Sequence, residues 1–509
     1  MIVAELVVFA VVTALTWLGV DAAVTGALAK GGEQDAAGVR TVAEIEAQAL
    51  RGFLLYAAGV FALAMSRMVS ARRGHGDIRV PLLLPAACAA AGMGLALQMG
   101  YGNPLERQVW PGPDFALGFL MAALLGGIVL ALPKDPVEVT QPLQPLLPAL
   151  MIGAFFALRF FGQGTEAAQD TKINLWGFQP MEIVKLFFVI FLANYFGRRA
   201  EKMRHQRDRL LGMQFPRKEL LWPAVALMIA LFGAFVLLND LGPTLILSIV
   251  FLFMFYVVTR ASGWVGLAIA IVALGVFAIT HVPAIAESPK VALRLKMWVD
   301  PWYNGLPFGD QTARSAWAIA AGGAQGQGLG QAPATALPAG HTDLIIAHLA
   351  EELGAFGLVL YIGIIALITF QGLWIAAMNR TAERALLAAG LAILMVAQFA
   401  VIFSGNTGIL PLTGVIVPFL SYGKTGMIVF VIIAAMLVRL AESGAARETT
   451  QELMELRKGA LGGLAGVAAV LAAAIGVAVW QGIVIADDTT TRGVVTLLAR
   501  EPGETTDRV

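Results

Sequence analysis

The stretch NTGILPLTGVIVPFLSYGKTG, Asn406 to Gly426, decides the fold. It carries Pro411 and Pro418, several glycines and a single charge, Lys424, and it touches the apolar runs 385–404 and 420–440. Proline removes a backbone donor and interrupts a helix, so this is broken, re-entrant backbone. In hydrocarbon every unpaired N–H or C=O is costly. Such backbone persists at membrane depth only where protein buries it or where it lines a cavity. A bundle of helices must therefore surround it.

The rest of the chain has the composition of such a bundle. Of 509 residues, 58% are hydrophobic and 14% charged, against roughly 25% charged in an average soluble domain. Mean hydropathy is +0.77. An ordinary soluble enzyme is excluded, and a net charge of +1 excludes a globally basic nucleic-acid binder. The lone cysteine, Cys88, rules out a disulfide framework and a cysteine zinc site. The 55 glycines and many alanines let helices approach closely.

A span needs about 20 mostly apolar residues. The chain offers about thirteen: 2–20, 52–68, 81–99, 115–133, 143–161, 180–197, 220–238, 243–259, 264–283, 345–377, 385–404, 420–440 and 459–485. The first does not read convincingly as a cleaved signal, lacking a basic start and carrying Glu5. Basic residues follow the second span (Arg67, Arg72, Arg73, Arg79) and the sixth (Arg198, Arg199, Lys202, Arg204, Arg207, Arg209, Arg217, Lys218). The positive-inside rule then puts the N-terminus in the cytoplasm and the long segment 284–343 outside. Thirteen spans put the C-terminal tail outside as well.

Ionisable groups at membrane depth are functional candidates. In QPMEIVK, Gln179 to Lys185, Pro180 suits a helix start, and Glu182 and Lys185 stand three apart on one face. They form either a local ion pair or a working pair. NDLGP, Asn239 to Pro243, reads as an outer hairpin turn containing Asp240. In LPAGHTDLIIAHLAEELG, Leu337 to Gly354, His341 and Asp343 close the long loop. Asp343, Ala347 and Glu351 then fall on roughly one helix stripe. Asp343 is either a helix cap or a chemical group, and His348 with Glu351 is a weak metal pair. Two patterns are set aside. GKT at Gly423 to Thr425 lacks the upstream glycine of a phosphate loop, and GGAQGQGLG at Gly322 to Gly330 lacks a strand–helix setting.

Taken in order, these segments resemble the SEDS family (shape, elongation, division and sporulation), the FtsW/RodA/SpoVE type. That pattern runs QPSE…K, DLG, a long outer loop, LPE.HTDFIFA…EELG and a final P.TG..LPF.SYGGSS. The long loop supplies Arg294, Asp300-Pro301, Gln311, Ser315, Ala318-Ile319, Gly322-Gly323 and Gly326 to Gly330. The similarity covers roughly Gln179 to Glu442. Met181, Ala339 and Lys424 depart from it, and NLWGFQP keeps only Trp176 of the usual RW.

The resemblance implies an all-α polytopic protein of the bacterial cytoplasmic membrane, with about ten spans plus about three extra. Residues 1–142 hold N-terminal spans, about two of them additional; 143–442 form the family-like core, with outer loop 284–343. A cytoplasmic connector (443–458), an added span (459–485) and an outer polar tail (486–509) follow. It also implies a peptidoglycan glycosyltransferase that polymerises lipid II at the outer face, working with a class B penicillin-binding protein among membrane lipids. Asp343 is the expected general base. Lys185, Arg294 and Lys424 are expected near the leaving diphosphate. Glu182 would orient Lys185 or help hold Mg2+ or another divalent cation. Gln311, Ser315, His341, Asp240, Ser421 and Tyr422 complete the expected substrate site. A lipid-linked precursor flippase and a non-catalytic scaffold that activates a transpeptidase stand as alternatives.

Overall fold

The computed structural model describes residues 2–30, 41–70, 82–101, 110–163, 174–210, 213–238, 242–267, 270, 298, 301–302, 310–332 and 337–443. In order come α1 (Ile2–Lys30), α2 (Val42–Ser70), α3 (Leu83–Gly100), α4 (Pro111–Ala131), α5 (Pro136–Thr140), α6 (Leu147–Phe161), α7 (Pro180–Gly197) and α8 (Ala200–His205). A two-stranded hairpin follows, β1 (Arg207–Leu210) antiparallel to β2 (Met213–Pro216) with Arg207 opposite Pro216. Then come α9 (Lys218–Leu237), α10 (Gly242–Thr259), α11 (Asp310–Gly322), α12 (Ile345–Met378), α13 (Ala382–Asn406) and α14 (Lys424–Ser443).

Ten described helices are long and apolar enough to cross a membrane, and the pair α5–α6, bent by 71°, brings the number to eleven. The bend explains why the expected span 143–161 is shorter than a full crossing. Pro145 and Pro148 lie in its path, and α5 runs off in another direction. The expected span 459–485, the connector and the tail lie outside the described residues, as does nearly all of 264–283.

The bundle is organised around α13. Of its most apolar stretch 94% is buried, against 28% for α1 and for α9. A helix apolar on every side belongs in the centre. Around α13 pack α7, α10 and α12, with α14 alongside; α4 packs against α2 and α14, and α3, 89% buried, packs against α1, α4 and α12.

The polar groups collect at the two ends. At one end Arg67 of α2 pairs with Glu5 of α1 (3.4 Å) and with Glu442 of α14, while Ser70 (2.8 Å) and Arg439 (2.6 Å) donate to the second Glu442 oxygen. Arg439 also donates to the Leu132 carbonyl just past α4 (2.9 Å), so α4 and α14 run parallel. Nearby, Asp135 caps α5 through the Val137 and Glu138 amides and accepts from Arg384. Burial pushes the Asp135 carboxyl up, but the Arg384 hydrogen bonds and the cap outweigh it and hold the group below its ordinary range. The basic cluster Arg198–Arg209 sits at this same end, where Arg204 and Arg207 donate to the last carbonyls of α10.

One span is broken on purpose. Gly354 inside α12 has φ 65° and ψ −166°, a region open essentially to glycine alone. The break frees carbonyls, and the segment Gly322 to Gly330 satisfies them. Gln327 N–H donates to Glu351 O and Gly328 N–H to Glu352 O (both 2.9 Å), while Ala355 N–H returns to Gly323 O (2.9 Å). A Cβ at Gly322 would overlap the Ala350 carbonyl, and one at Gly330 would overlap that of Ala23 in α1. The glycine run is thus a backbone clamp between α1 and α12.

Gly354→Ala should therefore destabilise the detergent-solubilised protein by at least about 1–3 kcal/mol, read as a lower melting temperature. Gly363→Ala, further along α12 with open space around the new methyl, should leave melting unchanged or raise it. Equal melting of the two variants would contradict the clamp.

Candidate functional site

At the end opposite the basic cluster, the turn His341-Thr342-Asp343 leads into α12. Each of its three carbonyls is held by a residue from elsewhere in the fold. His341 O accepts from Tyr422 N–H and from Gln98 Nε2 (both 2.9 Å). Thr342 O accepts from Ser421 Oγ (2.8 Å), and Asp343 O from Asn406 Nδ2 (2.8 Å). Asn406 Oδ1 in turn accepts from Ala347 N–H (3.3 Å), and its backbone carbonyl from Ser315 Oγ of α11 (2.7 Å). The turn is gripped by both ends of the broken segment 407–423.

That segment is non-helical, as the sequence predicts, and is buried from Val415 to Ser421. Gly408 (φ 75°), Gly414 (φ 61°) and Phe419 (φ 60°) give it left-handed corners. Gly414 faces the half-buried Asp343 carboxylate; a methyl there would sit 3.7 Å from Oδ2. Asp343 itself lies before the helix, whose N-cap is Leu344 with no side-chain cap bond. The expected stripe from Asp343 to Glu351 therefore starts outside the helix, and the capping reading falls. The chain stays in a turn because its carbonyls are taken by residues across the fold, before an i to i+4 ladder can claim them.

Beneath the broken segment, α7 presents Glu182 and Lys185. Lys185 Nζ donates to Glu182 Oε1 (2.6 Å) and to Gln398 Oε1 of α13 (2.7 Å). Gln398 Nε2 closes the ring on Glu182 Oε2 (3.3 Å) and reaches the Ile416 carbonyl (3.0 Å). The expected Glu182–Lys185 pair exists. Lys185 is only 1% exposed, and the ring braces the broken segment from below.

Sequence reasoning missed Gln398, Asn406, Gln98 and Asp114. The last accepts the Tyr422 hydroxyl on one carboxylate oxygen and pairs with Lys424 Nζ on the other (2.8 Å). Tyr422, His341 and Tyr101 pack in series with their rings tilted, centroids 5.8 and 5.0 Å apart. Gln311 lies one turn before Ser315 on α11 and is half-buried. Asp240 and Arg294 lie outside the described residues.

The FtsW/RodA/SpoVE family model, described as a cell cycle protein, matches residues 115–445, well over half of the chain. The chain belongs to this family. Among curated relatives, the peptidoglycan glycosyltransferase RodA of Mycobacterium leprae is 28% identical over 418 residues, covering 80% of this chain and 87% of that one. RodA of Mycobacterium bovis is 34% identical over 271 residues, 53% of this chain and 57% of that one. Among solved structures, a chain from a peptidoglycan synthase complex that coordinates polymerization and crosslinking aligns at a TM-score of 0.48. It shares 21% identity and covers 77% of this chain and 98% of its own.

Among the described residues no group of three or more His, Cys, Asp and Glu side chains stands together. Both Glu182 oxygens are engaged, and His348 faces Glu352 (3.6 Å) from a buried position in α12.

If the Lys185 ring is a brace, Lys185→Met should strand Glu182 uncompensated and lower stability by roughly 3–5 kcal/mol. The double variant Glu182→Gln/Lys185→Met should recover most of that loss. Thermal melting of the four proteins in a double-mutant cycle measures it. Additive losses would remove the brace.

Proposed function

We propose that this chain is a peptidoglycan glycosyltransferase that polymerises lipid II at the outer face of a bacterial cytoplasmic membrane, with Asp343 as its general base. Family membership supports the reaction class. The observation that carries the residue assignment is the grip on the 341–343 turn. All three carbonyls are fixed, which leaves a half-buried carboxylate held rigidly at the end of the bundle away from the basic cluster. The positive-inside rule assigns the basic end to the cytoplasm and hence Asp343 to the outside.

The chemistry follows from that placement. A sugar 4-hydroxyl loses its proton to the Asp343 carboxylate as its oxygen bonds to the anomeric carbon of a second sugar. The bond from that carbon to the diphosphate oxygen breaks, and the lipid diphosphate leaves with the electron pair. A positioned base contributes about 10²–10⁴-fold, and fixing its backbone keeps the carboxylate near the attacking hydroxyl. The prenyl tails are lodged among the small-residue faces of the spans. The long outer loop that ends at Asp343 is suited to cover the sugars. By family resemblance the partner is a class B penicillin-binding protein, whose transpeptidase activity would cross-link the strands.

Asp343→Ala should reduce glycan polymer from fluorescent lipid II by at least about 10²-fold while leaving membrane insertion and melting unchanged. Polymer made at the parent rate by that variant would sink the base assignment.

A further inference from the structure

We propose that Lys424 is an exchangeable cation for the diphosphate of a lipid-linked sugar, and that Asp114 and Tyr422 are the residues that position it. The inference rests on the glycosyltransferase reading for its substrate and on independent geometry for its site.

Two described lysines flank the broken segment, and their surroundings differ. Lys185 is sealed between Glu182 and Gln398, so taking it out of that ring strands a buried carboxylate. Lys424 pairs with one carboxylate at 2.8 Å, and both side chains are 34% exposed. An ion pair this open adds only about 0–1 kcal/mol. A lysine–phosphate contact is charge-assisted as the lysine–carboxylate pair is, and a diphosphate brings more negative charge than one carboxylate. Exchange of Asp114 for an incoming diphosphate therefore costs little at Lys424, whereas release of Lys185 strands a buried carboxylate.

The rest of the arrangement keeps the cation in place while it exchanges. The Tyr422 hydroxyl holds the second Asp114 oxygen, so the carboxylate stays docked when the ammonium leaves it. Gly118, one turn after Asp114 on α4, receives the lysine stem; a methyl at Gly118 would lie 3.2 Å from Lys424 Cγ. Tyr422 N–H is bonded to His341 O, two residues before Asp343. Base and cation thus hang from one hydrogen-bonded unit, as a reaction that deprotonates one sugar while releasing diphosphate from another requires.

The test uses the full-length protein in detergent and two readouts. The first is direct binding of inorganic diphosphate, which needs no turnover. Lys424→Met should weaken it about 10- to 100-fold, the range for a hydrogen bond to a charged group, and Lys424→Arg should restore most of it. This arm needs no turnover, so a failed glycosyltransferase reading leaves it intact. The second readout is lipid II polymerisation. Asp114→Asn, which can still accept from Tyr422, should shift KM more than kcat, whereas a merely structural role would lower both with the melting temperature. Unchanged diphosphate binding by Lys424→Met would overturn the proposal. So would competition by phosphatidylglycerol vesicles with none by diphosphate.

Discussion

A stretch of backbone that is not helical lies against the helices of the bundle, buried from Val415 to Ser421, and most of the structure answers the need to pair its polar groups. Residues 407–423 are satisfied from above by the 341–343 turn, from below by Gln398, and from the side by Tyr361, whose hydroxyl donates to Pro418 O. Each bond works in both directions. What stabilises the broken segment also fixes the turn that carries Asp343, so the polar site and the fold's weakest backbone support each other. Breaking one leaves buried donors and acceptors orphaned in the other.

Much of this was legible in the chain. Two prolines in an apolar setting announced the broken segment, and the i, i+3 spacing announced Glu182 with Lys185. Among the described residues the spans followed from hydropathy, with a bent pair, α5–α6, standing where the straight span 143–161 was expected. The partners were not legible. Gln398 and Asn406 are single uncharged polar residues in the apolar run of α13, and periodicity gives such a residue no address across the fold. Depth was also hidden. A sequence reports that Lys185 and Lys424 are cations, but not that one is sealed and the other open. Asp114 lies just before the expected span 115–133 and gave no sign of a role, because its partner Lys424 stands on α14, far along the chain.

The glycine run 322–330 carries a related lesson. Its spacing superficially matched nucleotide binding, yet its glycines serve close contact between backbones. Left-handed corners at Gly326, Gly328 and Gly330 let the amides face the carbonyls released at Gly354. A span can be cut in its early turns when another segment pairs the backbone groups that the cut releases.

The family match begins at residue 115, but the folded unit does not. Gln98 holds the His341 carbonyl, Tyr101 the Leu337 carbonyl, Ala23 seats Gly330, and Arg67 meets Glu442. The family model's match and mechanical integrity therefore have different borders in this chain. A fragment trimmed to the matched region would keep the recognisable motifs and lose the residues that brace them, so the first three helices are scaffold for the catalytic layer and not a detachable appendage.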